Sequence, residues 1–230
     1  MAAATGRLRS VNPATGEELA SFEEHTPSEL DRALAEADAA QRAWARTSMG
    51  ERSRVLVEAA RLLRRRRSEY ARLVTLEMGK PVAEATAEID KCAWNCEFYA
   101  RQAQRLLADE PVETEARTSY VAYQPLGLVL AIMPWNFPFW QVLRFAAPAL
   151  MAGNGALLKH SPNVPQCALA IERLLAAVSS CSMASAHWGT LGECLSRAAL
   201  PAISAGAANR STCQNGKFHG MMASTTPSGW

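Results

Sequence analysis

The sequence of 230 residues lacks the features that mark several classes of protein. No uninterrupted apolar run approaches the roughly 20 residues that a membrane-spanning helix needs, so we expect no transmembrane segment. The first residues contain no apolar core of the kind found in secretory signals, and we expect a cytoplasmic protein. Six cysteines are too few for a disulfide scaffold, so we expect reduced thiols.

An excess of charge of either sign is also missing. The chain has 24 Lys+Arg against 22 Asp+Glu, which gives a formal net charge of +2. This balance indicates neither a nucleic-acid partner nor an anionic membrane surface. Hydrophobic residues make up 49% and charged residues 20%, which is typical of a globular protein with an apolar core.

Acidic residues are almost absent from the carboxyl-terminal part. Residues 1–178 contain 21 of the 22 acidic residues, and residues 179–230 contain only Glu193. This second segment holds nine serines and six glycines, and it shows no sustained helical or strand period. We therefore divide the chain into residues 1–178 and a divergent tail, residues 179–230, which we interpret as either disordered or frameshifted.

The first half of the chain has the pattern of successive helices. Thr26 with Glu29, and Ser48 with Glu51, form capping boxes that predict two helix starts. A third predicted helix runs from about residue 68 to 78 and ends at Gly79. A fourth is predicted over residues 82–107. Cys92 and Cys96 lie on its apolar face and are interpreted as core residues rather than metal ligands.

The pattern then changes to that of an α/β fold. Residues 118–123 alternate like a half-buried strand, and residues 126–133 form an apolar run typical of a strand covered on both faces. A turn at 134–138, a helix at 139–151, a strand at 156–159 and a helix to about 178 follow. This β–α–β–α order predicts the start of a doubly wound parallel sheet, with ligands at the carboxyl ends of its strands.

The motifs of residues 10–178 resemble the amino-terminal half of the aldehyde dehydrogenase superfamily. In chain order they are NPATGE (12–17), LEMGKP (76–81), QPLGLVLAIMPWNFP (124–138), APALMAGN (147–154) and LLKHSPN (157–163). The KHSPN string and Arg144 are most similar to the succinate-semialdehyde dehydrogenases. The resemblance implies a partial aldehyde-dehydrogenase fold: a helical amino-terminal segment and the start of a Rossmann-like sheet.

The resemblance also implies roles for particular residues. Asn136 matches the amide that stabilises the oxyanion in the catalytic step, and Arg144 matches the arginine that binds the substrate carboxylate. Lys159 matches the lysine that hydrogen-bonds the adenosine ribose. The matched cofactor-binding positions are Pro134, Trp135, Asn136, Lys159, His160, Ser161 and Pro162. Pro162 replaces a glutamate of many NAD-preferring members, so NAD and NADP both stay open as cofactors.

Each of these residues also has a simpler interpretation. Asn136 could serve only the turn, Lys159 could be an ordinary solvated lysine, and Arg144 could bind backbone carbonyls. A zinc site formed by His187, Cys194, Cys213 and His219 is disfavoured because their spacing fits no compact pattern. The four arginines at 64–67 are interpreted as a solvated helix end.

The nucleophile and base of the family have no match in the sequence. The chain contains no GQxC-type motif, no ELGG-type motif and no GSxxxG-type pyrophosphate turn. Cys194 and Cys213 stand in the wrong context to replace the nucleophile. We therefore expect no dehydrogenase activity from these residues alone, although the family implies oxidation of an aldehyde by NAD or NADP.

Three functions follow as alternatives. In the first, the chain is part of an enzyme that oxidises a small-molecule aldehyde, succinate semialdehyde. The second is a non-enzymatic chain that associates with full-length family subunits and modulates them. The third is a remnant that senses NADP without turnover. Resequencing codons 165–240 tests the frameshift hypothesis, since ELGG and GQxC motifs in another frame would support it.

Overall fold

The structure is a computed structural model that describes residues 7–181 and 199–202. Its elements in chain order are β1 (Arg7–Val11), β2 (Glu18–Glu23), α1 (Pro27–Trp44), α2 (Met49–Arg65), α3 (Arg67–Met78), α4 (Val82–Leu106), β3 (Glu110–Pro111), β4 (Tyr120–Val121), β5 (Leu128–Ile132), α5 (Trp140–Met151), β6 (Gly155–Lys159), α6 (Pro165–Cys181) and β7 (Ala199–Ala202).

The four predicted amino-terminal helices are confirmed. Both capping boxes form, with Thr26 accepting from the Glu29 amide and Ser48 accepting from the Glu51 amide. Each box holds the pKa of its glutamate below the ordinary value, because backbone and hydroxyl donors stabilise the carboxylate. Helix α3 ends at Gly79, whose left-handed φ of 82° closes the helix.

The predicted parallel β–α–β unit is also confirmed. Strand β5 pairs in parallel with β6, and β6 pairs in parallel with β7, so the spatial order is β5-β6-β7. In the first pair Ile132 lies opposite Lys159. The last residues of the two strands therefore reach the same edge of the sheet, where ligands of parallel sheets bind.

Helices cover the two faces of this sheet unequally. On one face α1 packs Leu30 and Ala37 against Leu128 and Leu157. On the other face, Ala131, Ala156 and Leu158 join the main core, which contains residues of α2, α3, α4, α5 and α6. Cys92 and Cys96 are fully buried in that core, which confirms their structural interpretation.

The carboxyl end of α5 is fastened to the amino-terminal helices by side chains. Gln41 donates to the Gly153 carbonyl at 3.0 Å, Trp44 donates through Nε1 to the Leu150 carbonyl at 2.8 Å, and Arg52 donates to the Met151 carbonyl at 2.8 Å. These carbonyls lie at and just beyond the end of α5, where intrahelical donors run out, although the Leu150 carbonyl also accepts from the Gly153 amide. The contacts fix the carboxyl end of α5 relative to α1 and α2.

Two details of the predicted strands are wrong. Strand β5 is not covered on both faces: Leu130 and Ile132 expose 57% and 69% of their surface. An apolar run of this kind is suited to a strand covered on both faces. On the face of β5 that α1 contacts, the described residues cover Leu128 and leave Leu130 and Ile132 open. The second difference concerns residues 118–123, where only Tyr120 and Val121 form a strand and both are exposed.

The tail contains one described strand. The sequence predicted no regular element after residue 178, but α6 continues to Cys181, and Ala199–Ala202 pairs with β6. The other tail residues, including Cys194, Cys213 and both tail histidines, lie outside the described residues. Within residues 7–181 and 199–202, no helix is long and apolar enough to cross a membrane.

Candidate functional site

Two turns leave the sheet side by side at its carboxyl edge. The first, residues 134–138, follows β5, and the second, residues 160–164, follows β6. They are joined at their base, because the Met133 amide donates to the Lys159 carbonyl at 3.0 Å. This bond continues the parallel ladder by one step beyond Ile132, so the two turns that carry the predicted cofactor residues are adjacent.

The first turn presents its side chains to solvent. Pro134, Trp135 and Asn136 are all exposed, and the Asn136 amide bonds to no side chain or backbone group among the described residues. Trp135, exposed by 48%, lines a cleft of about 710 Å³ together with Pro162 of the second turn and with Arg7 and Arg9 of β1. The structure thus places Trp135 and Pro162 at one cleft, and their role in cofactor binding stays a prediction.

The second turn carries a half-buried lysine followed by a buried histidine. The Lys159 ammonium donates to the His160 carbonyl at 3.3 Å and forms no ion pair with a carboxylate of the described chain. His160 is buried, and its Nδ1 lies 2.7 Å from the Ser161 carbonyl. Burial lowers the pKa of His160. The imidazole therefore belongs to the support of the loop, whereas the Lys159 ammonium has donors left for a ligand.

A buried ion pair supports the first turn from below. The Glu88 Oε1 atom of α4 accepts from the amides of Phe139 and Trp140, at 3.0 Å each. Its Oε2 atom accepts from Lys80 Nζ, and both charged side chains are almost fully buried. The Lys80 ammonium also lies 3.6 Å from the centroid of the Phe137 ring, within the range of a cation–π contact.

A second buried carboxylate supports the second turn in the same way. Glu77, at the end of α3, accepts from the amides of Gln166 and Cys167 at 2.8 Å each. It also accepts from the Ser10 hydroxyl of β1 at 2.7 Å, and the Gln166 side chain donates to that hydroxyl. At the start of each helix that follows one of the two turns, backbone amides therefore donate to a buried carboxylate.

These two carboxylates limit where a dinucleotide can bind. Helix amino termini often bind phosphate, because their free amides point at the anion. In α5 and α6, first-turn amides are already bonded to Glu88 and Glu77. A phosphate at either helix start would have to compete with a carboxylate for these amides.

Glu77, Lys80 and Glu88 were not predicted as functional residues. Glu77 and Lys80 belong to the LEMGKP motif, which served only to carry the resemblance. Glu88 stands one residue before Ile89 on the apolar face of α4. A charged residue on a buried helix face needs a partner. The position of a glutamate within this apolar face could therefore have predicted a buried ion pair.

Arg144 lies eight residues after Asn136, within α5, as predicted. Its neighbour Leu143 is buried, but Arg144 itself is exposed and bonds to no described residue. The interpretation that it binds backbone carbonyls is therefore wrong for the described chain. Its fork of donors faces no partner among the described residues.

None of the cysteines whose side chains are described has the character of a nucleophile. Cys92, Cys96 and Cys167 are buried and free. Burial raises the pKa of the Cys96 thiol to about 12 and raises those of Cys92 and Cys167 well above the ordinary value. In the described part of the chain, no group of three or more His, Cys, Asp or Glu side chains is arranged to hold a metal.

The chain is similar in sequence to curated proteins over its first three quarters. The model of the aldehyde dehydrogenase family matches residues 1–180. A protein of Synechocystis sp. named "probable succinate-semialdehyde dehydrogenase (NADP(+))" is 52% identical over 167 residues, which is 73% of this chain and 37% of that protein. Succinate-semialdehyde dehydrogenase (NADP(+)) 1 of Mycobacterium bovis is 48% identical over 172 residues, covering 74% and 38%.

Solved structures show the same likeness. The succinic semialdehyde dehydrogenase of Streptococcus pyogenes, solved with NADP+, has a TM-score of 0.72 and 35% identity, and the match covers 74% of this chain and 38% of that one. An NADP-dependent enzyme of E. coli has a TM-score of 0.74 and 31% identity, covering 88% and 40%. The chain thus spans about 38% of the length of the curated relatives it matches.

Proposed function

Because the chain belongs to the aldehyde dehydrogenase family, we propose that its two cofactor turns serve the NADP-dependent oxidation of succinate semialdehyde. In that reaction the aldehyde carbon loses a hydride to NADP+, and water supplies the second oxygen of the acid. The observation that carries the proposal is the adjacency of the Asn136 turn and Lys159 at one sheet edge, where Met133 bonds to Lys159. The names of the curated relatives supply the substrate and the cofactor.

The residues at the second turn fit the ribose of NADP. Lys159 ends a buried strand, so its stem is held while the ammonium reaches the edge of the sheet. It has no carboxylate partner among the described residues, and its free donors suit ribose hydroxyls or a 2′-phosphate. NADP, when bound, supplies the hydride acceptor. Lys159 and the backbone of the second turn would hold its adenosine end.

Pro162 favours NADP over NAD as the cofactor. A glutamate at this position would repel a 2′-phosphate, and proline places no charge there. Pro162 is exposed beside Arg7 and Arg9 at the cleft, so the surroundings of the position include basic side chains. Arg9 is partly neutralised by Glu18, which accepts its Nε donor at 2.6 Å.

The first turn would contribute a donor to the developing oxyanion. The Asn136 amide is exposed and has no internal acceptor, so its N–H groups are available to a substrate oxygen. Arg144 would bind the carboxylate of succinate semialdehyde through its two-pronged guanidinium. No cysteine whose side chain is described suits the role of the nucleophile, because all three are buried with raised pKa values.

Titration with NADP+ tests whether the chain binds the cofactor through Lys159. We expect binding in roughly the millimolar range, because ribose contacts alone are few. Lys159→Met should weaken it about tenfold, the effect of losing a hydrogen bond made by a charged group. Arg101→Met, which removes an exposed charge from α4, is the matched control and should bind like the wild type. Equal binding by both variants would contradict the proposal.

A second candidate is association with a full-length family subunit, and the open face of β5 favours it. Leu130 and Ile132 are exposed on a parallel strand whose outer edge has no partner strand among the described residues. Exposed apolar strands of this kind promote pairing with other chains. The exposed face of β5 is thus suited to packing against another chain.

Co-purification with the full-length Synechocystis relative tests this second candidate. We expect a complex that Ile132→Glu abolishes, since the charge would be buried at the interface. Val82→Glu changes a valine of similar exposure on α4 and should leave the complex intact. If the wild type and both variants elute alone, association is excluded.

Location of the protein in the cytoplasm stays a prediction.

A further inference from the structure

We infer that Glu88, with its charge balanced by Lys80, is a positioning residue that fixes the Pro134–Pro138 turn and thereby Asn136. The inference rests on the proposed function for the role of Asn136, but the structural part stands on its own contacts. It gives a role to the LEMGKP motif, to which Lys80 belongs, and to the charge on the buried face of α4.

The turn itself has few internal restraints. Asn136 and Trp135 are exposed, and the Asn136 side chain bonds to no described group. Upstream, the Met133 amide fixes the end of β5 to Lys159 at 3.0 Å. The Phe137 carbonyl accepts from the Gln141 amide at 2.9 Å, which only closes the first turn of α5. Something outside the turn must therefore set where α5 begins.

Glu88 supplies that restraint from the neighbouring helix. One carboxylate oxygen accepts two consecutive amides, those of Phe139 and Trp140, at 3.0 Å each. Its side chain is 1% exposed, so water does not compete for these bonds. Because α4 is packed in the main core, the carboxylate is a fixed point to which the start of α5 is tied.

Lys80 makes this buried carboxylate possible and adds a second contact to the turn. A buried carboxylate without a counter-ion would carry a large desolvation cost. Lys80 pairs with its second oxygen, and the same ammonium lies 3.6 Å from the Phe137 ring. The pair thus holds the turn at Phe137 and again at Phe139, on both sides of the Pro138 bend.

Two double variants separate the acceptor from the ion pair. Lys80→Met with Glu88→Gln removes both charges but keeps an acceptor oxygen for the two amides. Lys80→Met with Glu88→Leu removes the charges and the acceptor together. Replacing a buried ion pair by neutral groups is often tolerated, so we expect both variants to fold. In the Leu variant, hydrogen exchange at Phe139 and Trp140 should be about tenfold faster than in the Gln variant.

The equivalent amides on Glu77 are the internal reference. Exchange at Gln166 and Cys167 should be equal in both double variants, because Glu77 is untouched. Equal exchange at Phe139 and Trp140 in the two variants would overturn the inference, as would a matching rise at Gln166 and Cys167. If the Leu variant does not fold, Glu88→Asp keeps the charge but withdraws the carboxylate, and it should raise exchange at the same two amides only.

Binding of NADP+ separates the inference from the proposed function. If the turn contributes to the cofactor cleft, the Gln variant should retain wild-type affinity and the Leu variant should lose about threefold to tenfold. A wild-type chain that binds no NADP+ would contradict the proposed function while the exchange pattern still decides the inference. Equal affinity in both variants, with binding in the wild type, would overturn the inference for Asn136.

Discussion

At the scale of single residues, buried charges do the positioning and exposed ones are left for ligands. Glu77 and Glu88 each accept two consecutive backbone amides at the start of a helix. Lys159 and Arg144 pair with no described carboxylate. Exposed ion pairs such as Arg64 with Glu97 contribute little stability. The functional hypotheses therefore depend on a few side chains at the sheet edge.

Pro162→Glu should change the choice of cofactor. The new carboxylate would accept ribose hydroxyls of NAD+ and would repel the 2′-phosphate of NADP+. We expect the ratio of NADP+ to NAD+ affinity to fall at least about tenfold, the effect of one charge pair in a partly exposed site. Competition titrations with the two cofactors measure the ratio. Pro162→Gln, which adds no charge, is the control, and an unchanged ratio in the Glu variant would contradict the assignment.

His160 should make the fold sensitive to mild acid. Burial lowers its pKa below the ordinary value of 6.5, so the unfolded chain binds the proton more readily than the native chain. The free energy of unfolding should therefore be highest above pH 6.5 and fall as the pH decreases through the lowered pKa, with a slope of at most about 1.4 kcal/mol per pH unit.

Denaturant titrations of two histidine variants test this dependence. His160→Asn retains a donor for the Ser161 carbonyl but cannot titrate, so the slope between about pH 7 and pH 5.5 should become flatter. His25→Asn changes an exposed histidine whose charge also acts on His160, so it should flatten the slope less than His160→Asn does. An equally steep slope in His160→Asn would show that another group is responsible.

At the scale of elements, the packing of α1 on β6 depends on a glycine. A Cβ atom on Gly155 would lie 2.8 Å from the Cβ of Gln41 and 3.2 Å from Leu128 Cδ1. Gln41 is itself fixed, because it donates to the Gly153 carbonyl. The close approach of helix and strand therefore leaves no room for a side chain at this position.

Two alanine substitutions should have opposite effects on stability. Gly155→Ala should lower the free energy of unfolding by about 1–3 kcal/mol, because the core cannot accept the extra methyl group without shifts. Gly50 lies in the first turn of α2, where a Cβ atom would meet only Ser48 Oγ, at 4.0 Å. Gly50→Ala should therefore raise the free energy of unfolding by about 0.4–1 kcal/mol. Thermal and urea unfolding measure both. A neutral Gly155→Ala would show that α1 is free to move away.

The local signals in the sequence predicted the elements well and their surroundings poorly. Capping boxes and Gly79 are local chemistry, so they located α1, α2 and the end of α3. The exposure of Leu130 and Ile132 was not predicted. An apolar run shows that a strand is suited to burial on both faces, but it does not show whether the described chain supplies the elements that would cover it. The Glu88 contacts join residues more than fifty positions apart, which no local pattern reveals.

At the scale of the whole molecule, the chain has the helical amino-terminal segment and the first parallel strands of an aldehyde dehydrogenase. The family model matches residues 1–180, and the match covers about 38% of the curated relatives. The sequence contains no GQxC-type or ELGG-type motif. We therefore propose that these 230 residues hold the cofactor and oxyanion turns and do not complete the oxidation alone.

The most direct test is an assay for NADPH formation by the purified, mass-verified 230-residue chain, with succinate semialdehyde and NADP+. We expect no NADPH above the blank, from a preparation that nevertheless binds NADP+ through Lys159. Sustained NADPH formation in proportion to the amount of chain would contradict it, because a nucleophile would then have to lie within these residues.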